Sequence, residues 1–269
     1  MNSENIRSVL IVGCGWVGKK LGQNLSDKGL KVFGTTRSEQ NFSEIKGYNI
    51  IPIKLELPVE KIQNIELPEV DSVVISITPG RGESRDEYAK NIRQLAKLWK
   101  DTNTQVIMYS STGVYGNAKG LINENHTNPD PRNGNVICAA EGELCTALSD
   151  AVILRLAGLY GEDRHPVKYL AGRDNVKNGE APVNLVHRED VIQVTQLMIK
   201  NEIRSQIYNV CGPVHTSKQK IYTTIANRLG MDEPDFLQGG ADDKQISSQK
   251  LIKDLEYEFI HPDPMKYPN

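Results

Sequence analysis

The chain is poor in cysteine, and the four it has (Cys14, Cys138, Cys145 and Cys211) are scattered through 269 residues without a CxxC pair or a nearby His/Cys cluster. That spacing argues against a disulfide framework and against a zinc site; it fits free thiols in a reducing compartment, and no metal is expected. Long apolar runs are also missing. The longest, such as Ser8–Val12 and Ser72–Ile77, fall far short of the ~20 residues that span a bilayer. The opening residues MNSENIRS are polar and lack an apolar core, so no secretory signal is expected, and a cytoplasmic location follows. A net charge of −2 gives no electrostatic reason to expect nucleic acid or an anionic membrane as partner. No internal repeat or low-complexity tract appears.

What is present is an alternation of short β-rich runs with helical patterns, the signature of stacked βαβ units and a parallel sheet. Strands are expected at Ser8–Val12, Lys31–Thr35, Asn49–Leu55, Ser72–Ile77, Gln105–Ser110 and Ala151–Leu156. Val17, Leu21 and Leu25 repeat at four-residue steps; Tyr88, Ile92, Leu95 and Leu98 mark a second amphipathic face, and a third helix is expected through Ile137–Leu148. Beyond about Gly158 the connections lengthen, with helices expected at Arg188–Lys200 and Ser217–Leu229 and a strand at Gln206–Val210. The tail HPDPMKYPN, with three prolines, reads as an extended end lying on the surface.

The first strand runs into Gly13-Cys14-Gly15-Trp16-Val17-Gly18. Glycine suits the tight exit at Gly13, the backbone approach to a pyrophosphate at Gly15, and the close helix–strand packing at Gly18. The helix opening near Trp16 and Val17 turns its N–H groups and positive dipole end toward the phosphates. Such a turn predicts an α/β fold of the Rossmann type, a doubly wound parallel sheet. We expect residues 1–157 to form the dinucleotide-binding domain and 158–269 a smaller substrate lobe, partly interleaved with it. NAD binders usually carry a carboxylate at the end of the second strand. Here that strand ends in Thr35-Thr36-Arg37-Ser38, and the first carboxylate is Glu39. A guanidinium flanked by hydroxyls suits a 2′-phosphate, so Thr36, Arg37 and Ser38 favour NADP over NAD.

Three further segments carry a family resemblance: Ser110-Ser111-Thr112-Gly113-Val114-Tyr115-Gly116, Arg155-Leu156-Ala157-Gly158-Leu159-Tyr160-Gly161, and Val183 to Val191. With the glycine turn, they make the chain resemble the extended short-chain dehydrogenase/reductases of the NAD-dependent epimerase/dehydratase group, closest to their atypical branch. The resemblance implies hydride transfer on a small carbonyl, hydroxyl or nucleotide-sugar substrate. It implies that Ser111, four residues before Tyr115, polarises the reacting oxygen, with Ser110 and Thr112 as neighbours able to substitute. It also implies that Thr78, after the fourth strand, passes along the cofactor, and that Asn184 and His187 lie on a substrate-side loop. A homodimer is compatible with it.

The departure from the family is as informative. Its general acid/base is a Tyr four residues ahead of a Lys, on the helix before an Ala-Glu step. Counting back from Ala140-Glu141 gives Asn133 and Ile137, neither of which can do that chemistry. One YxxxK exists, Tyr115 with Lys119, but in a stretch bounded by Gly116 and Gly120 that reads as a loop. Tyr115, His187 or water are the remaining proton sources. A non-catalytic NADP-binding protein, a sensor or a partner-binding module, is the competing reading. Of the other polar residues, Arg155 is expected to satisfy buried carbonyls or a carboxylate, His126 to be solvated, and Glu141 with Glu143 to form a wet helix face.

Overall fold

A computed structural model describes residues 7–58, 66–80 and 87–267. The strands are β1 (Ser8–Val12), β2 (Lys31–Thr36), β3 (Ile51–Lys54), β4 (Ser72–Ile75), β5 (Gln105–Ser111), β6 (Leu121–Ile122), β7 (Val152–Leu156), β8 (Gly158–Tyr160), β9 (Leu185–His187), β10 (Gln206–Val210) and β11 (Gln245–Ile246). The helices are α1 (Trp16–Asp27), α2 (Phe42–Lys46), α3 (Tyr88–Ala96), α4 (Val136–Ala147), α5 (Arg188–Lys200), α6 (Lys218–Arg228) and α7 (Gln249–Leu255). No helix among the described residues is long and apolar enough to cross a membrane.

One seven-stranded sheet has the order β10-β7-β5-β4-β1-β2-β3, and β1 pairs in parallel with both β2 and β4. The chain therefore reverses direction across the sheet at β1, which makes the carboxyl end of β1 a topological switch point where such folds receive ligands. Strands β1 and β4 are apolar because both their faces are covered; Val9 to Val12 and Val73 to Ile75 are all fully buried. Helix α1 buries Val17, Leu21 and Leu25 and packs beside β2. It comes close because of its glycines: a Cβ on Gly22 would sit 2.4 Å from Ile50 Cδ1.

The contacts divide the chain into two units that are discontinuous in sequence. The first holds Met1–Val114, Thr127–Leu154 and Val194–Ile207; the second holds Tyr115–His126, Arg155–Gln193 and Tyr208–Asn269. The first has a large aliphatic core around Leu10, Ile75, Ile92, Met108 and Leu144. The second is built on Tyr160, Val167, Leu185, Ile221, Ile225 and Tyr267.

Tyr267 corrects the reading of the tail. Instead of lying extended on the surface, residues Pro264–Lys266 form a 3-10 turn capped by Asp263, and Tyr267 is 8% exposed. Its ring stacks on His165 at 4.9 Å, and Arg228 holds the carbonyls of Met265 and Tyr267 at 2.7 and 2.8 Å. Burying one aromatic ring outweighs the ordering of a short, proline-stiffened end.

His165 itself gives the fold a pH dependence. It is fully buried, its Nδ1 accepts from Val167 N at 3.1 Å, and Nε2 has no partner among the described residues. Tyr267 covers one face, Tyr160 and Tyr222 stand edge-on, and Lys168 is the nearby charge. Burial, helped by the Lys168 ammonium, pushes its pKa from 6.5 down to about 4. The unfolded chain therefore takes up the extra proton first. The stability that neutral His165 confers is complete above pH 6.5 and falls by about 2–3 kcal/mol toward pH 4. Urea melts across this window should show a shallower pH slope in His165→Phe than in the parent, by about one proton.

Candidate functional site

The glycine turn follows directly from β1. Gly13 has φ +93°, and a Cβ there would lie 2.8 Å from Ile77 Cγ2, so both conformation and space require glycine. The turn is tied to β2 by Thr35, whose hydroxyl accepts from Gly13 N at 2.9 Å while its carbonyl accepts from Cys14 N at 2.8 Å. Gly15 is the N-cap of α1; it brings no capping side chain, and the first turn contains no acidic residue. A Cβ on Gly15 would meet nothing within 4 Å, whereas one on Gly18 would press Gly13 O at 3.0 Å and Ile11 Cγ2 at 3.1 Å. The three glycines thus do separate jobs: a turn, an open approach and a helix–strand contact. Trp16 is half-buried and Val17 buried, so what Val17 can offer a phosphate is its backbone. An exposed helix start with no capping side chain and no acidic residue in its own first turn favours an anion.

At the end of β2, Thr36 Oγ1 accepts from Asn41 Nδ2 at 3.1 Å, and Ser38 caps the Glu39–Asn41 turn by accepting from Gln40 N. Arg37 is exposed and has no hydrogen-bond or ion-pair partner among the described residues. Thr78, beyond β4, is exposed. Thr35 was not singled out from the sequence, although a buried hydroxyl where the second strand meets the turn is a readable signal.

The three hydroxyls after β5 have different employments. Ser110 donates to the carboxylate of Glu141, and Thr112 is buried. Ser111 is half-buried, and its Oγ accepts from Gly113 N at 3.1 Å, which leaves its proton to donate. Asn135, also missed, pins this turn to α4. Its amide donates to Gly113 O at 2.9 Å, and its Oδ1 accepts from Ile137 N at 2.9 Å as the helix cap.

Because α4 starts at Val136, Asn133 stands in the preceding loop and Ile137 in the first turn. A Cβ on Gly113 would be 2.9 Å from Ile137 Cδ1, so an aliphatic side chain packs against this turn. The same helix overturns one expectation: Glu141 and Glu143 are not a wet face but 0% and 7% exposed. Residues Asp130 and Pro131 cross over Gly142, whose Cβ position is 2.1 Å from Pro131 N, and cover the outer side of α4. Glu143 is met there by the Arg93 guanidinium from α3, and Glu141 by Ser110.

In the second unit, Tyr115 does not pair with Lys119. The phenol is buried; it donates to Asn209 Oδ1 at 2.7 Å and accepts from Arg155 NH1 at 3.0 Å. Burial holds its pKa above the usual value despite the Arg155 charge. Lys119 instead pairs with Asp242 at the surface. Arg155, fully buried, also donates to Glu124 O at 3.0 Å, in keeping with its expected role, while Glu124 Oε1 accepts from Asn209 N at 2.8 Å. His126 is exposed. Asn184 braces β11, donating to Lys244 O and accepting from Ile246 N, both at 2.8 Å. His187, 7% exposed, accepts from Glu189 N at 3.2 Å and stands edge-on to Tyr160. Burial, with the nearby His261 next in weight, pushes its pKa to about 4.

A glycine turn at the switch point of a parallel sheet, opening an uncapped helix, defines a dinucleotide-binding α/β protein of the Rossmann type. The chain belongs to the NAD dependent epimerase/dehydratase family, whose model matches residues 9–211. It is 33% identical to Protein YeeZ of Escherichia coli K12 over 98% of this chain and 99% of that one. Two of the solved structures that share the fold hold a nicotinamide nucleotide. MoeE5 in complex with UDP-glucose and NAD has a TM-score of 0.72 at 17% identity, covering 94% of this chain and 93% of its own. Human epimerase family protein SDR39U1 with NADPH has a TM-score of 0.72 at 14% identity, covering 96% of each chain.

Proposed function

We propose that the protein is an NADP-dependent oxidoreductase acting in the cytoplasm on a small carbonyl or hydroxyl compound, a nucleotide sugar being one such substrate. The observation that carries this reading is the exposed Gly15 over the uncapped start of α1. The diphosphate is received by the backbone of Gly13, Gly15, Trp16, Val17 and Gly18, and Thr78 borders the same end of the sheet. Exposed Arg37, with Thr36 and Ser38 beside it, takes a 2′-phosphate; SDR39U1 was solved with NADPH, MoeE5 with NAD. The nicotinamide, when bound, supplies hydride chemistry at C4. Ser111 hydrogen-bonds the reacting oxygen, since Ser110 is committed to Glu141. Tyr115 is held by Asn209 and Arg155, and His187 is only 7% exposed, so proton delivery falls to water. Asn184 shapes the substrate loop through its hold on β11 rather than by direct contact.

Two measurements test this. Separate fluorescence titrations with NADPH and NADH should favour NADPH. Arg37→Ala should cost NADPH affinity about 10- to 100-fold, the worth of a charge-assisted bond, and leave NADH unchanged. With a panel of aldehydes, ketones and nucleotide-4-ketosugars, Ser111→Ala should lower kcat/KM by about 100-fold. Tight NADPH binding with no turnover on any of them would leave the competing reading, a non-catalytic NADP-binding protein. What favours that reading is the position of Asn133 outside α4 and of Ile137 against Gly113.

A further inference from the structure

His187, Glu189 and His261 come together in the second unit, with one donor atom from each within 4.8 Å of the others. Their convergence depends on Asp190, which is fully buried. Its Oδ1 accepts from the Tyr257 hydroxyl and from Ile260 N, both at 2.7 Å, and its Oδ2 accepts from His261 N at 3.1 Å. Neighbouring residues of one helical turn thus divide the work: Asp190 fixes the backbone that carries His261, and Glu189 meets the ring. His261 Nε2 lies 2.8 Å from Glu189 Oε2, and the two imidazole centroids are 3.7 Å apart. His187 Nδ1 accepts from Glu189 N at 3.2 Å, so its lone pair is aimed at the same end of α5. The charge of Arg188 is offset by Glu162 at 3.0 Å and Asp163 at 3.8 Å. Glu189 is half exposed, which gives an ion a way in.

We propose that His187 Nδ1, Glu189 Oε2 and His261 Nε2 form a binding site for a borderline divalent transition metal, zinc foremost, with water as fourth ligand. Two imidazoles and one carboxylate are donors that zinc accepts, and they suit magnesium poorly. Ligand atoms at tetrahedral angles around zinc lie about 3.3 Å apart. The Glu189–His261 separation of 2.8 Å is already near that; the half-exposed Glu189 carboxylate swings, and the two imidazoles, with centroids 3.7 Å apart, rotate about their side-chain bonds to bring both nitrogens onto the ion. Binding exchanges two hydrogen bonds, Glu189 N to His187 and His261 to Glu189, for coordination bonds. Any proton on His261 leaves to solvent as the metal enters. The site is independent of the nicotinamide nucleotide reading.

The test uses the full chain, stripped by chelator, dialysed, and titrated with ZnCl2 against a chromophoric competitor, alongside thermal melts. The expected result is one zinc per chain and a zinc-dependent rise in Tm, with no response to MgCl2. Affinity should fall at least tenfold in His261→Ala and in Glu189→Gln. Glu189→Gln, at a half-exposed position, should keep the metal-free Tm of the parent, so it decides the matter if His261→Ala folds poorly. Zinc uptake by the parent no stronger than by Glu189→Gln, or no uptake at all, would overturn the proposal.

Discussion

Gly15→Val is expected to weaken NADPH binding by about 100-fold or more, about 2.8 kcal/mol, while the protein keeps its melting temperature within a few degrees. The two halves of this expectation rest on different facts. Gly15 has φ −86° and ψ −151°, an extended conformation that valine adopts without strain. A Cβ there meets no atom of the protein, so the fold has no cause to object. The space the valine methyls fill is the space through which a diphosphate would approach the α1 amides. Gly13→Val makes the contrast, since φ +93° and Ile77 Cγ2 at 2.8 Å mean that it damages the fold as well. Fluorescence titration and a thermal melt on the two variants separate the cases. Unchanged NADPH affinity in a folded Gly15→Val protein would dismiss the turn as the phosphate site.

The largest stability loss is expected from Arg155→Met, about 3–4 kcal/mol. Methionine fills similar volume but donates no hydrogen bond. The Tyr115 hydroxyl and the Glu124 carbonyl, which Arg155 serves at 3.0 Å each, would then lose a buried donor. Truncating a buried charge costs more than the contact itself because its partners stay behind unpaired. In a chain of this size that should lower Tm by about 10 °C. A Tm drop below about 2 °C would show that the network contributes nothing net. Tyr115→Phe removes only the hydroxyl bridging Asn209 and Arg155 and should fall well short of that.

Much of the fold was legible in the sequence. The seven strands of the large sheet fall within a residue or two of expectation, and α5 matches Arg188–Lys200, whereas the short strands β6, β8, β9 and β11 were not foreseen. Parallel strands covered on both faces write themselves as unbroken apolar runs, and amphipathic helices as four-residue repeats. Glycine spacing was equally readable, because Gly13 answers a local demand of φ and Gly18 one of space. The wet face assigned to Glu141 and Glu143 failed for a related reason: residue type reports a preference for water, not whether another segment will lie on top. Here Asp130 and Pro131 cover the helix, and Arg93 comes from fifty residues away to meet Glu143.

The sequence by itself determined the α/β layering, the position of the glycine turn and the absence of a helical Tyr/Lys couple, since all three are written in short-range spacing. Only the tertiary structure decided that Ser110 gives its proton to Glu141, that Tyr115 serves Arg155 and Asn209, and that His187 and Glu189 meet His261. Those partnerships join residues 31 to 94 positions apart in the chain. Hydrogen bonds depend on distance in space, and no pattern along the chain encodes that until the sheet and helices have packed.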